Sequence, residues 1–265
     1  MLQYALECQT PHIKEDPIMK AYRDSEALER KIVTWLQEQG ASSGRKGCVF
    51  GLSGGIDSAV VAGLARKAFG KNHVLGVLMP CHSNPLDATH AFAVAEALDI
   101  AVIQVDLSES YDTLLRAFPK EKSPSSSLAL ANIKPRLRMI TLYTIAQEHG
   151  FLVCGTGNKV ELAVGYFTKH GDSGVDLLPL GDLLKGEVRA LATSLGVPRE
   201  IIIKPPSAGL WEGQTDEKEM GVTYDELDNY FLERQVSQEV QSFVEGAFQR
   251  SQHKRRIPPL CKIEE

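Results

Sequence analysis

No run in the 265-residue sequence approaches the ~18 consecutive apolar residues of a membrane-spanning helix. Its first residues carry neither a basic start nor the apolar core of a signal segment. Cysteine is scarce and unpaired. The five, Cys8, Cys48, Cys81, Cys154 and Cys261, form no C-x-x-C, which excludes a zinc ribbon and a disulfide framework. Cys48 and Cys154 stand inside apolar runs, as small hydrophobes do. These absences predict a chain in the reducing cytoplasm, with no membrane among its partners. A large excess of either charge is also missing. The 29 Lys and Arg against 34 Asp and Glu give a net charge of −5, a poor match for a protein that coats nucleic acid. Two phosphate-binding signatures are absent as well. No G-x-x-x-x-G-K-[ST] occurs, and Gly155-Thr156-Gly157 lacks the third glycine of a dinucleotide fingerprint.

What remains is a composition of 43% hydrophobic and 24% charged residues, ordinary for a folded globular protein. The length fits one domain, or two small ones. Leu28, Ile32, Trp35 and Leu36 lie on one stripe of a 3.6-residue period and predict a helix from Asp16 to Gly40. Trp35 reads as a core residue. Apolar runs at Cys48–Leu52, Val74–Met79, Ala101–Leu107 and Phe151–Gly155 predict strands. Helices are expected between them at Ala59–Phe69, Ala88–Leu98 and Asn132–His149, the last with Asn132 as cap and Pro135 in its first turn. Uniformly apolar strands alternating with helices imply a parallel sheet covered on both faces, an α/β doubly wound, Rossmann-like fold. Tyr224–Arg250 is expected to be helical. The Pro- and Gly-rich segment 205–221 reads as a mobile loop of the lid type.

Ser53-Gly54-Gly55-Ile56-Asp57-Ser58 carries the chemistry. A glycine loop between a buried strand and a helix presents backbone N–H groups and the positive end of the helix to an anion. Gly54 and Gly55 let the backbone approach a phosphate closely. Ser53 and Ser58 add hydroxyls. Asp57 would repel a phosphate unless a cation lay between them, so Mg2+ bridging Asp57 and phosphate oxygens is expected. Glu161 lies five residues past Thr156, beyond the fourth strand, where a carboxylate can share that cation. Read alone, Glu161 is a surface glutamate and Lys185 a solvated lysine. On the same reading Lys169, Asp172 and Asp176 form a weak surface cluster, and His253-Lys254-Arg255-Arg256 is a solvated basic tail.

The loop resembles the signature of the ATP pyrophosphatases, which split ATP between its α and β phosphates. The run Gly155–Lys185, GTGNKVELAVGYFTKHGDSGVDLLPLGDLLK, is similar to the short ammonia-dependent NAD synthetases within that group. So are the Arg136–Met139 segment, PSAGL and the HKR tail, and the resemblance covers nearly the whole chain. It implies ATP as co-substrate, held by Gly51, Leu52, Ser53, Gly54, Gly55, Ile56, Asp57, Ser58, Thr156, Lys185 and Ser207. It implies Mg2+ on Asp57 and Glu161, and deamido-NAD on Arg136, Lys169, Asp176, His253 and Lys254. Asp172 stands where ammonia arrives, with Asp57 and Lys185 as the other catalytic groups.

The expected activity is adenylation of the nicotinate carboxylate of deamido-NAD and its amidation by ammonia, giving NAD, AMP and pyrophosphate. A single synthetase domain spanning 1–265 is expected, without the nitrilase-type glutaminase domain of glutamine-dependent relatives, and so is a homodimer. Two alternatives stand beside this. A tRNA-modifying pyrophosphatase would want a cysteine pair and a basic surface, neither of which is present. A non-catalytic nucleotide-binding protein would not need both acidic groups and Lys185.

Overall fold

The computed structural model describes residues 21–207, 209, 213 and 215–263. The expected helix start at Asp16, Cys8, and the Ala208 and Leu210 of the PSAGL run lie outside the described residues. In chain order the elements begin with α1 (Ser25–Ser43), β1 (Cys48–Gly51), α2 (Ile56–Phe69), β2 (Val74–Leu78), α3 (Pro85–Ala97) and β3 (Ala101–Gln104). They continue with α4 (Ser108–Arg116), α5 (Ser127–Ala131), α6 (Ile133–His149) and β4 (Leu152–Val153). The remaining helices are α7 (Lys159–Val164), α8 (Lys185–Ser194), α9 (Arg199–Ile202), α10 (Asp216–Met220), α11 (Tyr224–Phe231), α12 (Gln238–Arg250) and α13 (Gln252–Arg255).

All four strands run parallel in the order β3-β2-β1-β4. Alternate strand residues serve opposite faces. Cys48, Phe50, Val74 and Leu78 pack with α1, α2, α3 and α8, whereas Val49, Leu75 and Val77 pack with α4 and α6. Both faces of β1 and β2 are therefore dry, as uniformly apolar strands require, whereas β3, expected to be buried as well, is an edge strand with Ala101, Ile103 and Gln104 exposed. The order reverses between β1 and β4, so their carboxyl ends frame the crevice where open α/β sheets bind ligands. A third cluster joins α7, α11 and α12 through Val160, Val164, Tyr224, Leu227, Val240 and Val244 beside that crevice.

The stripe Leu28, Ile32, Leu36 of α1 is buried as its spacing predicts, and Trp35 packs partly buried against the same core. The helix starts at Ser25 because the Asp24 side chain accepts the Ala27 N–H (2.8 Å). Three expectations are corrected. The helix expected from Asp16 to Gly40 leaves out 21–24, which are not helical, and runs on to Ser43. Asn132 does not cap α6 with its side chain; its Oδ1 accepts the Thr168 hydroxyl instead (2.7 Å). The stretch Tyr224–Arg250 is two helices, because Thr223 and Ser237 each cap a separate start and Glu233 between them has a φ of +57°. Segment 205–221 carries a short helix, α10, whose Asp216 is buried.

The chain passes from β1 to α2 through Leu52-Ser53-Gly54-Gly55. Gly54 sits at φ +76°, and a Cβ there would lie 2.4 Å from the Asp87 carbonyl oxygen. A Cβ on Gly55 would meet only Ser53 Oγ, at 3.4 Å. Gly54→Ala should therefore lower stability by about 1–3 kcal/mol through backbone strain alone, and further through the clash with α3. Gly55→Ala should stay within about 0.5 kcal/mol of the parent. Thermal melting of the nucleotide-free proteins compares the two.

Candidate active site

The glycine loop closes on itself. Ser53 Oγ and Ser58 Oγ lie 3.1 Å apart, and the Ser58 hydroxyl donates to the Gly55 carbonyl (2.9 Å). The Gly55 N–H reaches Ser53 Oγ at 3.3 Å. No side chain caps α2 at Gly55, which leaves its positive end open to an anion. Leu52 and Ile56 are core residues, 2% and 5% exposed, so they can offer a nucleotide only their backbone. The Leu52 N–H is taken by the Val77 carbonyl (2.9 Å). Gly51 ends β1, and Thr156 follows the carboxyl end of β4, half-buried.

Asp57, Glu161 and Lys185, far apart in sequence, meet in this crevice. Lys185, at the start of α8, is fully buried, and its ammonium lies 2.6 Å from Asp57 Oδ2 and 3.9 Å from Glu161 Oε1. Burial opposes its charge, but Asp57 and Glu161 outweigh it and hold the ammonium above the usual lysine range. Buried Asp228 fixes the helix start by accepting the N–H groups of Lys185 (3.0 Å) and Gly186 (2.7 Å). Buried Glu187 accepts the Leu184 N–H (2.9 Å) and pairs with Arg23 (2.7 Å). Glu161 is held by a capping box. Its Oε2 accepts the Asn158 N–H (3.1 Å), and Asn158 Oδ1 accepts the Glu161 N–H (3.1 Å). The Asn158 amide also donates to Asp57 Oδ1 (3.1 Å), so one residue steers both carboxylates.

With both carboxyls ionised, one ammonium leaves a surplus negative charge that a cation would balance, and their hard oxygens suit Mg2+. Burial, then the charge of Asp57, raises the Glu161 carboxyl to about 8. Both features fit a cation shared by Asp57 and Glu161.

The residues expected on the dinucleotide are placed less uniformly. Arg136 is exposed and donates to the Asn132 carbonyl (3.1 Å) and the Lys169 carbonyl (3.2 Å), so Arg136 and Lys169 are neighbours. Asp176 accepts the Tyr143 hydroxyl (3.0 Å) and the Val153 N–H (2.8 Å). His253 is exposed. The Lys254 ammonium donates to the carbonyls of Gly165 (2.8 Å) and Phe167 (2.7 Å). Asp172 accepts the Thr168 N–H (2.8 Å) and is reachable by water. The surrounding protein pushes its carboxyl above the usual range, against the Thr168 N–H and the positive charges of Lys254 and Arg138. Ser207 is exposed, its hydroxyl accepting the Gly209 N–H (3.1 Å). Sequence reasoning missed Asn158, Asp228 and Tyr224. For Asn158 the Asn-x-x-Glu spacing was a readable signal.

Fold and crevice together define an α/β nucleotide-binding enzyme of the ATP-pyrophosphatase class. A family model for NAD synthase matches residues 28–258. The NH(3)-dependent NAD(+) synthetase of Carboxydothermus hydrogenoformans is 52% identical over 89% of this chain and 97% of its own length. The chain therefore belongs to the NAD synthase family. Among solved structures, an NMN synthetase from Francisella tularensis superposes with a TM-score of 0.86 at 37% identity, covering 91% of this chain and all of its own. An NH3-dependent NAD synthetase from Campylobacter jejuni gives 0.75 at 29% identity, also covering 91% of this chain and all of its own. These likenesses bear out the expected fold class.

The raised Glu161 carboxyl has a signed consequence for stability. Between its ordinary value of 4.5 and about 8 the folded chain keeps a proton that the unfolded chain has released. Glu161 thus stabilises the fold fully below that window and loses its contribution as pH rises through it. In divalent-free buffer the melting temperature should fall across this window more steeply for the parent than for Glu161→Gln. Mg2+ with ATP should flatten the parent's slope, because a cation favours the ionised carboxylate.

Proposed function

We infer that the chain joins ammonia to the nicotinate carboxylate of deamido-NAD at the expense of ATP, yielding NAD, AMP and pyrophosphate. The observation that carries this is the meeting of Asp57, Glu161 and Lys185 at the Ser53–Ser58 loop, in a chain that matches the NAD synthase model over most of its length. ATP lies with its β and γ phosphates on the loop and the end of α2. Lys185 neutralises their charge as the nicotinate carboxylate attacks the α-phosphorus and pyrophosphate leaves. Mg2+ on Asp57 and Glu161 would supply further compensation of phosphate charge when bound. Thr156 and Ser207 offer hydroxyls to the nucleotide. Ammonia then attacks the activated carbonyl and AMP departs. Asp172, more basic than an ordinary aspartate, binds ammonium and takes its proton. Arg136, Lys169, Asp176, His253 and Lys254 hold the dinucleotide, and Arg136 suits its phosphates through a planar fork.

Free ammonia as nitrogen donor is supported by the name and coverage of the Carboxydothermus relative. A single synthetase domain over the described residues is supported by one continuous α/β sheet. A homodimer is supported by Ile140 on α6, the helix that carries Arg136, and Leu128 on the adjoining α5, each 57% exposed. A cytoplasmic setting agrees with the free thiols of Cys48, Cys81, Cys154 and Cys261. Among the described residues no helix is long and apolar enough to cross a membrane.

A second substrate reading follows from the Francisella NMN synthetase. The same crevice would then amidate nicotinate mononucleotide, which has no adenylate half to bind. One assay separates the two. Pyrophosphate release with ATP and ammonium should be faster, by kcat/KM, with deamido-NAD than with the mononucleotide. Asp57→Ala should abolish it with either. Near-normal release in that variant would contradict the loop assignment, and a preference for the mononucleotide would replace the dinucleotide as substrate.

A further inference from the structure

Tyr224, the first residue of α11, is fully buried, and its ring lies against the Lys185 ammonium, 4.5 Å from nitrogen to centroid. Its hydroxyl lies 3.0 Å from Glu161 Oε1 and 3.0 Å from Asp216 Oδ2. Glu161 is thereby gripped at both oxygens, Oε2 by the Asn158 N–H (3.1 Å) and Oε1 by the phenol. Asp216 also accepts the Tyr166 hydroxyl (3.1 Å), and the Tyr224 N–H is accepted by Glu217 of α10 (2.9 Å). A tyrosine that served packing alone would need one partner for its hydroxyl. This one stands between two carboxylates, against the ammonium that pairs with a third on Asp57, in an arrangement whose repulsion a cation shared by Asp57 and Glu161 would relieve.

We propose that Tyr224 is a positioning residue for the cation site, its hydroxyl fixing the Glu161 carboxylate toward Asp57 while α10 fixes the phenol. The proposal rests on the reading that Asp57 and Glu161 hold the cation. Groups that orient a ligand in this way typically contribute tenfold to hundredfold to metal affinity. The phenol touches neither nucleotide nor nicotinate in this role, so its removal should change the metal requirement and leave the chemical step alone.

The experiment titrates Mn2+ into the full chain with ATP, followed by electron paramagnetic resonance, for the parent, Tyr224→Phe and Asp57→Asn. Phenylalanine keeps the ring against Lys185. Tyr224→Phe should bind Mn2+ about tenfold more weakly. The Mg2+ concentration for half-maximal turnover should rise by the same factor, with kcat at saturating Mg2+ and the KM for deamido-NAD within about twofold of the parent. Asp57→Asn should lose the Mn2+ signal. Parent-like Mn2+ binding by Tyr224→Phe, with the signal lost in Asp57→Asn, overturns the role of Tyr224 and leaves the cation reading standing. Parent-like binding by Asp57→Asn overturns the cation reading, and the Tyr224 proposal with it. A second measurement keeps the hydroxyl and the fold. With 3-fluorotyrosine placed at position 224, the fluorine resonance should shift when Mg2+ is added to the ATP complex, and an unmoved resonance overturns the proposal.

Discussion

The crevice is organised by one buried ammonium. Lys185 has no exposure to water, and stripping an ion of its hydration is costly unless opposite charges and hydrogen bonds replace it. Asp57 at 2.6 Å and Glu161 at 3.9 Å replace it. That contact ties together α2, α7 and α8, three helices from distant parts of the chain. Much nearby structure holds its members still. Asp228 and Glu187 pin the start of α8, the Asn158 box pins α7, and the loop hydroxyls pin α2. Lys185 is thus a keystone of packing and, in the proposed reaction, the cation offered to the phosphates. A site built this way arrives already arranged, so little reorganisation opposes the build-up of charge in the reaction.

The sheet explains why these helices can converge. Reversal of strand order between β1 and β4 leaves the segments after both strands on the rim of one gap. The glycine loop follows β1 and the Thr156–Glu161 segment follows β4. Gly155 bonds to the Leu177 carbonyl (2.8 Å) and so draws the run containing Asp172 and Asp176 to the same rim. The crevice therefore follows from topology, and the identities of its side chains decide its chemistry.

What could be read in the sequence follows the range of the forces involved. Strand and helix identities came from apolar periodicity, a local signal, and the four strands and main helices lie where it put them. The loop from Ser53 to Ser58 was legible because glycine spacing between a strand and a helix has few other uses. Glu161 was half legible through its place five residues past Thr156, beyond the fourth strand. The pairing of Lys185 with Asp57 spans 128 positions, and no local pattern encodes it; family resemblance brought both residues to the site without pairing them. Tyr224 stayed hidden because the Thr223–Glu226 box beside it marks only a helix start. The break between α11 and α12 was missed for the opposite reason. Helical periodicity continues across it, while two capping residues decide that there are two helices.

The two halves of the proposed reaction make opposed demands on the groups around one carboxyl carbon. Adenylation brings anions together and needs concentrated positive charge, which Lys185 and the open end of α2 provide. Amidation needs a neutral nucleophile drawn from a cationic pool, and so a base that positive charge would weaken. Around Asp172, the surrounding protein raises the carboxyl while Lys254 and Arg138 pull it down, and the net result is still upward. Lys254 is restrained by two carbonyls, and Arg138 donates to the Met79 carbonyl (3.2 Å). Both cations have fixed neighbours other than Asp172, which limits how far they acidify the base. An aspartate left alone with a free lysine would be too weak a base to take a proton from ammonium. In the proposed role, the same cations can still attract an anionic substrate without cancelling the basicity that Asp172 would bring to the second half.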